Sequence, residues 1–265
     1  FFQQIFKKQE FLEILKLVKR SILQKKGLFT SKWPKICLKN LIMKKNKIFI
    51  ACDSTNILKI KTIIRKTQNS KIKFGYKFGL EFLNSKYGRR FISKQKKKII
   101  FADLKLHDIP NTCASTIKAI SDLKIDYLTI HISAGYEALK ASKRVSKKVK
   151  LTGVSILTSL NNKALREIGY NKDLKKIVMD QAKIAKKAKL DAMVCSAQEV
   201  PIVKKIFKKE IITPGIRFNS KLNDQKRVLT PKQAYRNGSD WLVIGRPLTK
   251  GNIEKNIQLL IDHLK

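Results

Sequence analysis

The sequence predicts an α/β fold in which eight parallel strands, each followed by a helix, close into a single (β/α)8 barrel. Three observations carry this expectation. From Lys47 onward, short apolar runs alternate with amphipathic helical stretches, the pattern of consecutive βαβ units. Eight such runs fall within residues 47–265, enough to close a sheet on itself. No Gly-x-Gly-x-x-Gly follows the first run, which argues against an open, doubly wound dinucleotide-binding sheet.

The runs read as strands are 48–52, 72–76, 99–104, 127–131, 151–156, 192–195, 211–213 and 241–244. They are short and rich in Ile, Val, Phe and Tyr, with few polar residues, as expected of strands covered on both faces. Between them, residues 111–123, 174–188, 231–237 and 253–264 carry apolar side chains at helical spacing on one face. In a barrel of this TIM type the functional residues are expected just after each strand, at the C-terminal mouth.

Residues 1–42 stand apart. They are basic, place Phe11, Ile14, Leu15 and Val18 at helical spacing, and meet breakers at Gly27 and Pro34. Glu10, Glu13 and a single arginine, Arg20, make a poor mitochondrial leader, and no continuous apolar stretch suggests a secretory signal. The segment is expected to be an N-terminal extension outside a 43–265 barrel domain, with Met43 as the natural initiator.

Lys and Arg total 59 against 19 Asp and Glu, a net charge of +40. The lysines are spread along the whole chain among abundant Ile and Asn and are not interleaved with aromatics in one patch. The charge therefore reads as compositional drift and not as a nucleic-acid surface. No apolar run approaches the roughly 18 residues of a membrane-spanning helix. Cys37, Cys52, Cys113 and Cys195 are scattered, with no Cys-x-x-Cys pair, which fits reduced thiols in a cytoplasmic protein.

The stretch richest in chemistry runs from Phe101 to Thr112, through Asp103-Leu104-Lys105-Leu106-His107-Asp108-Ile109-Pro110-Asn111. Strand side chains alternate, so Asp103 and Lys105 are expected to share a face, opposite Leu104 and Leu106. Ionisable groups at i and i+2 on a barrel strand must be paired or functional, because both faces are covered. Asp108 follows where the strand gives way to a loop, and Pro110 suits the opening of the next helix.

This stretch resembles the signature of the bacterial orotidine 5'-phosphate decarboxylases. The resemblance continues at Cys52-Asp53, Tyr76-Lys77-Phe78-Gly79-Leu80-Glu81, Ile156-Leu157-Thr158-Ser159 and Val194-Cys195-Ser196-Ala197-Gln198-Glu199. It extends through Thr213-Pro214-Gly215-Ile216-Arg217 and Val243-Ile244-Gly245-Arg246-Pro247, in the family's order, and covers about residues 47–265. It implies decarboxylation of orotidine 5'-phosphate to uridine 5'-phosphate and CO2, the last step of de novo pyrimidine nucleotide synthesis, with no cofactor and no metal.

The resemblance also implies roles. Lys105 would be the cation beside C6 and the acid that protonates it, held by Asp103 and Lys77. Asp108 and Thr112 would enter the site from the partner of a homodimer. Asp53 would contact the ribose, and Thr158 or Ser159 the pyrimidine edge. Arg217, Gln225, Gly245 and Arg246 would take the phosphate, since a small backbone beside a guanidinium suits a dianion. Ile109 and Pro214 complete the expected substrate-binding set. His107, His131 and Cys195 are expected to be structural.

The closest alternative is a Mg²⁺-dependent sugar-phosphate synthase or decarboxylase of the same suprafamily, which shares Asp-x-Lys-x-x-Asp and would bind its metal through Glu81 and Asp103. The less related alternative is a basic nucleic-acid-binding protein.

Overall fold

The computed structural model describes residues 46–95, 97–218 and 229–265. The expected N-terminal extension and Gln225 lie outside the described residues. Eight strands, β1 (Lys47–Ala51), β2 (Lys73–Gly79), β3 (Ile100–Leu106), β4 (Tyr127–His131), β5 (Lys150–Val154), β6 (Ala192–Val194), β7 (Glu210–Thr213) and β8 (Trp241–Ile244), are all parallel. They close in sequence order, β8 pairing with β1 through Ile48↔Leu242 and Ile50↔Ile244.

Helices cover the outside: α1 (Ile57–Thr67), α2 (Leu80–Leu83), α3 (Gly88–Ser93), α4 (Pro110–Ala119), α5 (Tyr136–Val145), α6 (Asn162–Glu167), α7 (Leu174–Lys187), α8 (Val200–Ile206), α9 (Pro231–Arg236), α10 (Arg246–Thr249) and α11 (Ile253–Leu264). Their starts are written locally. Asn56, Asn161 and Asn252 each accept a hydrogen bond from the backbone N–H three residues on, and Thr230 forms a reciprocal capping box with Gln233 just before Pro231. Pro110 opens α4 as its sequence context suggested. The stretch expected as one helix over 111–123 is α4 followed by a separate 3₁₀ turn, Ser121–Leu123.

The two faces of the sheet bury different side chains. Outward residues such as Ile48, Ile50, Leu128 and Ile130 pack beneath the helices. Inward residues at the N-terminal end form an aromatic plug, with Phe49 stacked on Trp241 at 4.1 Å and in contact with Phe101 and Tyr127 at 4.9 and 5.2 Å. Gly75 makes room for it, since a Cβ there would lie 2.6 Å from the Phe49 ring. With the lower barrel filled by these rings, the interior opens at the C-terminal mouth.

A second device recurs at the N-terminal end. The residue before each of β4, β6 and β8 is an aspartate (Asp126, Asp191 and Asp240) that clasps an earlier strand twice. Each donates its backbone N–H to the carbonyl of Ile100, Leu151 or Ile211, and its carboxylate accepts the N–H of that same residue. Asp191 and Asp240 also pair with Lys143 on α5 and Lys204 on α8. A carboxylate that accepts a buried strand N–H satisfies a donor the parallel ladder leaves open.

Candidate active site

The mouth holds a cavity of about 300 Å³. Its floor is apolar, made by Ala51, Phe101, Val154, Val194 and Val243 above the aromatic plug. Two polar arcs rise from it. One comes from β1 to β3 and carries Asp53, Lys77, Asp103 and Lys105; the other follows β7 and β8 and carries Pro214, Gly215, Arg217, Gly245 and Arg246.

The first arc is a chain of alternating charge. Asp53 Oδ1 lies 3.0 Å from Lys77 Nζ, Lys77 Nζ lies 3.3 Å from Asp103 Oδ2, and the same oxygen lies 2.8 Å from Lys105 Nζ. Asp103 is only 8% exposed. Burial opposes its ionisation, but Lys77 and Lys105, with hydrogen bonds from Lys105 and Thr129, outweigh it and hold the carboxyl below its ordinary value. Burial likewise opposes the charge on Lys77, yet Asp103 and Asp53 raise its affinity for the proton above the ordinary lysine value.

Asp103 and Lys105 meet in the mouth, though not through simple strand alternation. Pairing of β3 with β4 is regular at Phe101↔Tyr127 and Ala102↔Leu128, then slips and resumes at Leu106↔Ile130. Lys105 lies within this bulge with φ of +50°, in the left-handed region. β2 also runs further than the apolar pattern indicates, so Lys77 sits within the strand and not after it, its register fixed by Lys77↔Phe101 and Gly79↔Asp103. Thr129, buried on β4, was not a candidate from sequence; it accepts the Lys105 backbone N–H at 2.8 Å and donates to Asp103 Oδ1 at 3.1 Å.

In the second arc, Gly215 has φ of +75°, a conformation that glycine adopts without strain, and it turns the chain from β7 toward Arg217. Gly245 directly follows β8 and Arg246 opens α10. Thr158 is half-buried and lines the cavity, whereas Ser159 is exposed and does not. Asp108, Ile109 and Thr112 are exposed and lie outside the cavity of their own chain; Asp108 accepts the N–H of Ile109 at 2.7 Å, and Ile109 is 66% exposed.

The other candidates have quieter surroundings. His107 and His131 lie ring to ring at 5.3 Å, and burial, then His107 and Lys105, push His131 below the ordinary histidine value. Cys195 is buried at the end of β6 and forms part of the wall. Burial pushes the Cys52 thiol up to about 12, which leaves it unreactive at neutral pH. Glu81 is exposed in the first turn of α2 and does not line the cavity.

Residues 46–256 match the model of the orotidine 5'-phosphate decarboxylase / HUMPS family. The chain belongs to this family. Orotidine 5'-phosphate decarboxylase of Wolbachia pipientis subsp. Culex pipiens is 45% identical over 195 residues, covering 71% of this chain and 86% of that protein. The Vibrio cholerae decarboxylase is 36% identical over 218 residues, covering 77% and 91%. The crystal structure of orotidine 5'-phosphate decarboxylase from Lactobacillus acidophilus superposes with a TM-score of 0.70 at 30% identity, over 83% of this chain and 99% of that one. In this orotidine 5'-phosphate decarboxylase family member, the span of the match contains both polar arcs and ends within α11.

Proposed function

We propose that the chain decarboxylates orotidine 5'-phosphate to uridine 5'-phosphate and CO2 without a cofactor, as the last step of de novo pyrimidine nucleotide synthesis. The observation that carries this reading is the Asp53–Lys77–Asp103–Lys105 chain of alternating charges over an apolar floor, facing a Gly-Arg arc suited to a phosphate.

Loss of the carboxylate breaks the bond from C6 to the carboxyl carbon and leaves the electron pair on C6, in the ring plane, where the pyrimidine π system cannot delocalise it. Without an electron sink, the site must lower the barrier by something on the order of 20 kcal/mol through charge and positioning. Lys105 Nζ supplies a compact cation beside C6 and donates the proton that replaces CO2, and solvent then restores that proton to the amine. Asp103 holds the ammonium in place and Lys77 holds Asp103. Asp53 steadies Lys77 and would contact the ribose, and Thr158, which lines the cavity, would contact the pyrimidine. Arg217, Gly245, Arg246, Pro214 and Gln225 would bind the phosphate end, whose remote binding energy positions the ring.

The complete site is a dimer in this reading. Asp108 and Thr112, with Ile109, would come to Lys105 from a second copy of the chain, and their exposure outside their own cavity supports this assignment. Cys52 and Cys113 are buried free thiols, which accords with a cytoplasmic enzyme.

The Mg²⁺-dependent alternative has less support in the donor set. Lys77 Nζ stands between Asp53 and Asp103, where a cation bound to Asp103 would meet its repulsion, and Glu81 does not join them. Ultraviolet assay of orotidine 5'-phosphate with purified protein in EDTA tests the proposal. Sustained loss of the orotate chromophore is expected, and no loss, or loss only on adding Mg²⁺, would refute it.

A further inference from the structure

Three residues of β3, Asp103, Leu104 and Lys105, stand opposite a single residue of β4, Thr129, where the pairing slips. Such a bulge re-aims side chains, but it leaves backbone groups without ladder partners and here places Lys105 in a left-handed conformation that side-chain-bearing residues avoid. Something must hold it. Thr129 is fully buried, and its one hydroxyl makes two bonds, accepting the N–H of Lys105 at 2.8 Å and donating its proton to Asp103 Oδ1 at 3.1 Å. The donor sense is fixed, because an N–H can only donate and an ionised carboxylate can only accept. Asp103 is thereby held from both oxygens, Oδ1 by Thr129 and Oδ2 by Lys77 and Lys105.

We propose that Thr129 is a positioning residue for the decarboxylation: its hydroxyl pins the β3 bulge and the Asp103 carboxylate together, and so aims the Lys105 ammonium at C6. This rests on the proposed function. Thr129 does not line the cavity and need not touch substrate; its effect passes through Asp103 and Lys105. Misplacing a reacting group by about 1 Å costs on the order of 100-fold in rate, whereas ground-state binding of the phosphate and ribose is made by other residues.

The test compares Thr129→Val, which keeps shape and loses both bonds, with Thr129→Ser, which keeps both. Thr129→Val is expected to lower kcat about 100-fold with KM within about threefold of the parent, and Thr129→Ser to recover kcat to within about fivefold. The hydroxyl also stabilises the ionised form of Asp103, so the acid limb of the kcat/KM profile should move to higher pH in Thr129→Val and stay in place in Thr129→Ser. A kcat in Thr129→Val within about threefold of the parent, an unmoved acid limb, or an equal loss in Thr129→Ser would overturn the assignment. If Thr129→Val does not fold, Thr129→Cys is held to the same thresholds against Thr129→Ser, since the two differ only in sulfur for oxygen. An inactive parent protein would instead refute the proposed function and this role with it; an active parent with indifferent variants refutes this role alone.

Discussion

Asp103 Oδ2 receives two ammonium groups at once, Lys105 Nζ at 2.8 Å and Lys77 Nζ at 3.3 Å. One oxygen therefore sets the position of both cations, in a place where Asp103 and the Lys77 side chain are nearly dry. A carboxylate so placed contributes to the pH range over which the barrel is stable and, in the proposed reaction, to the chemistry.

The stability consequence has a definite sign. Asp103 ionises in the folded protein below its ordinary 3.8, so its contribution is present above about that pH and is lost as pH falls through the lowered folded value. Lys77 is raised above its ordinary 10.5, so its contribution is present below that value and is lost as pH rises through the raised one. Urea midpoints at pH 6 and pH 3 should differ less for Asp103→Asn than for the parent. Equal differences would show that the pair is not linked to stability.

Removal of the Arg246 guanidinium should raise KM by about 100-fold or more while the protein stays folded, because the proposed charge-assisted pairing with the phosphate would be lost. In the parent, a substrate truncated to lack its phosphate should regain part of its lost rate on adding phosphite. Steady-state kinetics check both; absence of any recovery would mean that the phosphate serves only as a handle.

If the site is shared across a dimer as proposed, the Lys105→Ala and Asp108→Ala proteins should each be inactive, yet mixing them should restore turnover. A mixed dimer has one site with both changes and one with neither, so about half the parental activity per dimer is expected. Mass spectrometry checks exchange, and exchanged but inactive mixtures would place both residues in the site of one chain.

Asp240→Ala should reduce stability without touching kcat. It removes the acceptor for the buried Ile211 N–H and the partner of Lys204, at the end of the barrel opposite the mouth. A cost of about 1–3 kcal/mol is expected, seen as a fall of several degrees in Tm. An unchanged Tm would show that water replaces the carboxylate.

The barrel was legible in the sequence because each strand is a short apolar run between polar helix faces, and β4 and β8 coincide with the runs at 127–131 and 241–244. The ends of β2 and β3 were not, since Lys77 and Gly79 resemble loop residues until pairing with Phe101 and Asp103 holds them in the sheet. Strand alternation could not foresee a bulge, whose left-handed Lys105 is decided by long-range bonds. Thr129 was invisible for a related reason: in Tyr127-Leu128-Thr129-Ile130-His131 a threonine is an ordinary strand former, and only the tertiary fold places its hydroxyl on Asp103 and Lys105. The three aspartate clasps left a trace, an Asp directly before β4, β6 and β8, which has meaning only once the neighbouring strand is known.

In the proposed reaction the Lys105 ammonium enables departure of the carboxylate and protonates C6. Turnover of orotidine 5'-phosphate by Lys105→Ala, measured beside the parent with circular dichroism to verify the fold, tests it most directly. The expected outcome is a folded protein whose kcat/KM has fallen by at least about 10⁴-fold, since Lys77, the other ammonium on Asp103, is held between Asp53 and Asp103. A folded Lys105→Ala protein that retains turnover within about tenfold of the parent would contradict it.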